Sequence, residues 1–132
     1  MTTTTHGVKD LVADAKARIR NLTVAELAHA METDHVTLVD LREPAEIAHT
    51  GTIPGAVLAP RGMLEFHADP TSPYHLAELH PDRRTILFCA SGGRSALGVV
   101  ALHQLGYADV AHLDGGVTAW TAEGRPLAPV GG

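Results

Sequence analysis

Of 132 residues, one is cysteine, one tryptophan, two tyrosine and two phenylalanine. A lone cysteine excludes an internal disulfide framework and a CxxC redox pair, and it fits a reducing cytoplasm. Clustered positive charge is also missing. With a net charge of −5 and no run of lysines or arginines, neither nucleic acid nor an anionic membrane is an expected partner. No apolar stretch approaches the ~18 residues of a membrane span. The first turns scatter Lys9, Asp10, Asp14, Lys16, Arg18 and Arg20 among the apolar positions, which excludes the uninterrupted core of a secretory signal. Nine histidines are present and scattered, and none forms a His-x3-His pattern. Only His75 and His80 are close, in an irregular region and without a thiol partner, so neither a metal site nor a cofactor is expected. There is no internal repeat, and Thr2–Thr5 is expected to be a loose start.

What is present describes one ordinary globular domain, 45% hydrophobic and 19% charged. A chain of this length buries about two-thirds of its unfolded surface. Val8, Leu11, Val12, Ala15, Ile19 and Leu22 recur at helical spacing and predict an amphipathic first helix. Thr23 with Glu26 forms a capping box, and Leu22 with Leu27 a hydrophobic staple, at the start of a second helix. Val36–Val39 reads as a short strand ending at Asp40. Residues 41–55 carry helix-start and turn residues, among them Pro44, Gly51, Pro54 and Gly55, and Ala56–Ala59 is a second strand. Between Pro60 and Pro81 the pattern is irregular, with short helices expected at Arg61–His67 and Tyr74–Leu79. Arg84–Phe88 is a central strand, Ala96–Leu105 a helix stopped by Gly106, Asp109–Leu113 a last strand and Val117–Ala122 a closing helix. Short apolar strands alternating with helices predict an α/β fold with three layers: a mostly parallel central sheet with helices on both faces. Ligands of such sheets bind beyond the carboxyl ends of the strands. Asp40, Cys89 and Asp114 all fall at such ends.

Cys89 opens the run Cys89-Ala90-Ser91-Gly92-Gly93-Arg94-Ser95, between a strand and a helix. In a tight loop feeding a helix, successive backbone N–H groups point inward and the helix adds its positive end. Both favour negative charge on sulfur, as does a nearby arginine. The plainer alternative is a buried cysteine acting as a small hydrophobe.

From about Thr23 to Pro126 the chain resembles a single-domain rhodanese, on four segments. These are Val39-Asp40-Leu41-Arg42-Glu43-Pro44-Ala45-Glu46, His49-Thr50-Gly51-Thr52-Ile53-Pro54-Gly55-Ala56, Cys89 to Ala96, and Leu113-Asp114-Gly115-Gly116-Val117-Thr118-Ala119-Trp120. One departure is Thr52, where rhodaneses usually carry histidine; it touches local hydrogen bonding only. On this reading residues 1–22 are a tail and helix packed on a rhodanese-like domain over 23–132.

The resemblance implies a sulfurtransferase working through a Cys89 persulfide. A small anionic sulfur donor would load the thiol, and an external thiol, cyanide or protein acceptor would unload it, since no second cysteine is available. The N–H groups of Ala90, Ser91, Gly92, Gly93, Arg94 and Ser95 would cradle the transferred sulfur. Arg94 would attract the donor, and Arg61, in the irregular region, would add a second binding charge. Asp40 and Arg42 match an acidic and basic pair that buttresses the loop. Cysteine phosphatases need Cys-x5-Arg, whereas only four residues separate Cys89 from Arg94 here. The alternative functions are a non-catalytic binding module and a thiol redox sensor. Trp120 is expected to plug the core, Met63 and Phe66 to line the core or the pocket, and His103 and His112 to be partly buried and hydrogen-bonded.

Overall fold

The computed structural model describes residues 7–130, so the Thr2–Thr5 stretch lies outside the described residues. Five parallel strands form one sheet in the order β1-β5-β4-β2-β3: β1 Arg20–Leu22, β2 Val36–Asp40, β3 Val57–Leu58, β4 Arg84–Phe88 and β5 Val110–Leu113. The helices among the described residues are α1 Val8–Arg18, α2 Val24–Thr33, α3 Pro44–Thr50, α4 Leu64–Ala68, α5 Gly93–Gln104 and α6 Gly116–Ala122, with a 3-10 turn at Arg61–Met63. This is the three-layer α/β architecture that the strand and helix alternation predicts.

Side chains alternate across the central strands, as a sheet covered on both faces requires. Leu38, Ile86, Phe88, Ala111 and Leu113 pack on one face with Leu27 of α2 and Val117 and Trp120 of α6. Val39, Leu87, Cys89 and Val110 pack on the other with Leu64 and Ala68 of α4 and Val99 and Leu102 of α5. Cys89 therefore continues the Leu87 side of the alternation one step beyond β4. Trp120 is buried as expected, and its indole N–H donates to Pro126 O at 2.8 Å.

Four local expectations need correction. The first helix ends at Arg18, and Arg20–Leu22 leaves it to pair with Ala111–Leu113 as the edge strand β1. Helical spacing continued through Ile19 and Leu22 because a three-residue strand with one buried side chain, Leu22, shows no alternation of its own. Tyr74–Leu79 forms turns and not a helix, consistent with the Ser72–Pro73 break before it. Phe66 is 53% exposed and meets Tyr74 edge-to-face, so it lines neither core nor site. His103 is exposed on the outer face of α5. The capping box at α2 is present: Glu26 N–H donates to Thr23 Oγ1 at 3.1 Å and Thr23 N–H to Glu26 Oε1 at 2.9 Å.

Candidate active site

Asp40, Cys89 and Asp114 stand at the carboxyl ends of β2, β4 and β5, which brings three chain-distant motifs together. The thiol itself is 1% exposed. Two backbone donors aim at it: Gly92 N–H at 3.2 Å from Sγ and Ser95 N–H at 3.4 Å. Ser95 Oγ lies 3.5 Å from Sγ. Of the six N–H groups expected to surround the sulfur, these two reach Sγ; Ala90, Ser91, Gly93 and Arg94 lie on the same loop without that contact.

The loop takes this shape because its carbonyls are held from outside. Val117 N–H donates to Cys89 O at 2.9 Å and Thr118 N–H to Ala90 O at 3.0 Å, so the orphan donors of the first turn of α6 are satisfied by the Cys89 loop. With its carbonyls turned toward α6, the loop is left with N–H groups facing the sulfur. Such an approach requires glycine. A Cβ on Gly116, whose φ is +56°, would strike Cys89 O and come within 2.7 Å of Ala90 O. Gly92, at φ +111°, makes the reversal that starts α5.

Arg94 sits in the first turn of α5 and is taken up by Glu46 of α3. Nη1 lies 2.6 Å from Oε1 and Nη2 3.0 Å from Oε2, a bidentate pair. The guanidinium, with the Glu43 N–H behind it, holds the Glu46 carboxyl down to about 2. Arg94 in turn is raised by Glu46 and by the nearby thiol. Sequence spacing could not reveal this partner, although Glu46 lies within one of the four motif segments.

Asp40 and Arg42 form a buried pair, 0% and 3% exposed. Asp40 Oδ1 accepts from Arg42 N–H and Nε at 3.0 and 3.1 Å; Oδ2 accepts from Arg42 Nη2 at 2.9 Å and Thr52 Oγ1 at 2.7 Å. Arg42 also donates to Gly51 O at 2.7 Å and Thr50 Oγ1 at 2.8 Å. Every polar atom of the pair is used, the condition under which a buried ion pair is tolerated. It staples the Thr50–Thr52 turn to the end of β2, and Thr52 takes a direct part. Its link to the Cys89 loop is indirect, through Leu41 N–H to Phe88 O at 2.9 Å.

Arg61 is placed elsewhere. It pairs with Glu65 at 2.8 Å, in a groove between α1, α4 and α5 whose lining includes no residue of the 89–95 loop. Two residues that sequence reasoning did not assign to the site do reach it. Lys16 of α1 pairs with Asp114 at 2.9 Å, and its Nζ would lie 3.6 Å from a Cβ at Gly92. His112 of β5, fully buried, lies 2.8 Å from Ser95 Oγ. Burial pushes this imidazole down to about 4.

Residues 23–123 match the model of the rhodanese-like domain, and the chain belongs to that family. A protein named sulfurtransferase from Allochromatium vinosum is 40% identical over 101 residues, which cover 76% of this chain and 86% of that protein. A probable adenylyltransferase/sulfurtransferase, MoeZ, from Mycobacterium tuberculosis is 34% identical over 90% of this chain but only 29% of its own length. Among solved structures, a Rhodopseudomonas palustris protein described as of unknown function, "possible tyrosine phosphatase", superposes with a TM-score of 0.85 at 37% identity. That match covers 97% of this chain and 98% of the other.

Proposed function

We propose that this protein transfers a sulfane sulfur from a small anionic donor such as thiosulfate to an external thiophilic acceptor, through a persulfide on Cys89. The observation that carries this reading is the pair of N–H groups, from Gly92 and Ser95, aimed at Sγ at a strand-to-helix junction. Family membership and relatives named as sulfurtransferases support it.

The Cys89 thiolate attacks the outer sulfur of thiosulfate. The S–S bond to the sulfonate breaks, and sulfite leaves with the bonding pair. The persulfide's terminal sulfur retains one negative charge. In the second half-reaction cyanide or a thiolate attacks that sulfur and Cys89 leaves as thiolate. On this reading the added atom, one bond beyond Sγ, is also met by the loop's remaining N–H groups, from Ala90, Ser91, Gly93 and Arg94. They stabilise its charge as an oxyanion hole stabilises oxygen. With one cysteine in the chain, the acceptor comes from outside.

The phosphatase description of the R. palustris protein does not carry over. A loop with four residues between Cys89 and Arg94 is one short for a tetrahedral phosphate.

Intact-mass spectrometry after incubation with thiosulfate tests the proposal. One added sulfur is expected, removed by cyanide and absent in Cys89→Ser. No addition under donor excess, in folded protein, overturns it; so does aryl-phosphate turnover lost on Cys89→Ser.

A further inference from the structure

Behind the thiol runs a chain of hydrogen bonds that the sulfur chemistry above leaves unused. Cys89 Sγ is 3.5 Å from Ser95 Oγ, Ser95 Oγ is 2.8 Å from His112 Nδ1, and His112 Nε2 is 2.7 Å from Asn21 Oδ1. Ser95 and His112 are both 0% exposed, whereas Asn21 sits at an exposed position on the edge strand β1.

The direction of this chain is set at its far end. Asn21 Nδ2 donates to Lys16 O at 2.9 Å and Ile19 O at 3.2 Å, at the end of α1. Its Oδ1 therefore faces His112, and an oxygen can only accept. Nε2 must carry the hydrogen, which leaves Nδ1 of the neutral ring as an acceptor. The Ser95 hydroxyl then donates to Nδ1, its shortest contact; Gly92 O, at 3.4 Å, is the longer alternative. With its hydrogen turned away, Ser95 presents a lone pair to Cys89. It is the acceptor the thiol proton meets.

We propose that His112 is a positioning residue that takes up the Cys89 thiol proton through Ser95. The S–H bond breaks as its proton passes to Ser95 Oγ, and the Ser95 O–H bond breaks as that proton passes to His112 Nδ1. A thiolate, a neutral serine and an imidazolium protonated on both nitrogens result, with no other reactant consumed. The serine hydroxyl has now reversed and donates to sulfur, joining the N–H groups of Gly92 and Ser95.

Charge around the relay is nearly balanced. Asp114, after β5, favours the imidazolium and Lys16, on α1, opposes it; the two are paired with each other. On the Cys89 side Arg94 of α5 is matched by Glu46 of α3. Burial disfavours the imidazolium, so the proton returns unless a sulfur donor captures the thiolate. Deprotonation is thereby coupled to donor arrival.

The inference deepens the sulfur-transfer reading, yet its test reads the thiol without any sulfur donor, so the two can fail separately. Alkylation of Cys89 by iodoacetamide is followed from about pH 5 to pH 10 in the parent, Asn21→Asp and His112→Asn proteins. Asn21→Asp sets a carboxylate against Nε2 and should move the half-reaction point down by about one pH unit. His112→Asn keeps a polar partner for Ser95 but removes the base. It should slow alkylation severalfold near neutrality and recover above about pH 8.5, where free thiols ionise. Profiles that keep one shape and differ only by a constant factor would overturn the proposal. Should His112→Asn fail to fold, Asn21→Asp decides alone from its exposed position: an unmoved profile refutes the relay.

Discussion

Arg94 and Glu46 meet fork to fork across 48 positions of sequence, so the first turn of α5 is tied to α3 by two charge-assisted hydrogen bonds. The cation beside the thiol is thus largely matched. On the proposed reading a donor anion would compete with Glu46 for it.

Removing either partner separates the charge from the tether. Glu46→Gln leaves Arg94 unmatched and should lower KM for thiosulfate roughly two- to fivefold at low salt, an effect lost at high ionic strength. Arg94→Ala should weaken thiosulfate use by about tenfold in kcat/KM and affect an uncharged donor less. Steady-state kinetics at two salt concentrations check both. Equal losses in the two variants, insensitive to salt, would make the pair a tether only. In stability the sign is fixed by Glu46, which falls from 4.5 to about 2 on folding. Its contribution is present above about pH 4.5 and disappears as pH falls toward 2, and it is small because both groups are about a third exposed.

Gly116→Ala tests the junction between the Cys89 loop and α6. The left-handed backbone costs roughly 1–2 kcal/mol for any L side chain, and the collision with the Cys89 and Ala90 carbonyls adds a similar amount. A loss of about 2–4 kcal/mol is expected, together with a lower persulfide yield in the protein that remains folded. Gly124→Ala, at φ +79° with nothing within 4 Å of its Cβ, should show the backbone cost alone. Equal destabilisation at both positions, measured by denaturant midpoints, would remove the argument for close approach.

The buried Asp40–Arg42 pair predicts a graded series. Asp40→Asn strands a buried guanidinium and should cost about 3–5 kcal/mol. Thr52→Val withdraws one donor from Oδ2, which keeps Arg42 Nη2, and should cost about 1 kcal/mol. Urea unfolding ranks them. A Thr52→Val protein as unstable as Asp40→Asn would mean the threonine, and not the ion pair, holds the turn.

The layered sheet was legible because Val36–Val39, Arg84–Phe88 and Asp109–Leu113 are short apolar runs between turn residues, and burial on both faces leaves little else for them. Cys89 could be placed at a strand end for the same reason. Local signals served equally well at Thr23 and Glu26, whose interaction spans three residues. β1 was not legible: three residues carry no period of their own, and its pairing with β5 lies 91 positions away. Glu46 and Asn21 were missed likewise, since their roles come from partners that only the fold brings near. Arg61 was read from its place in an irregular segment, and its pairing with Glu65 is an ordinary i,i+4 contact that the spacing does display.

Acid stability should report the buried state of His112. Its ordinary value of 6.5 falls to about 4 in the folded protein, chiefly through burial. Between those values the unfolded chain binds a proton that the folded chain refuses, so stability rises with pH in this window and is lost as pH falls from about 6.5 to about 4. The gap corresponds to roughly 3 kcal/mol, with a slope near 1.4 kcal/mol per pH unit in the middle of the window. His112→Asn has no such proton to bind. Its unfolding free energy should start lower near pH 7.5, because the fit of Ser95 and Asn21 around the ring is lost, and should then fall less steeply on acidification. The two curves therefore converge toward pH 4. Urea titrations at about pH 7.5, 6 and 5 are sufficient to see this. An equally steep fall in the variant would show that the acid sensitivity belongs to other groups and that His112 is not held neutral by burial.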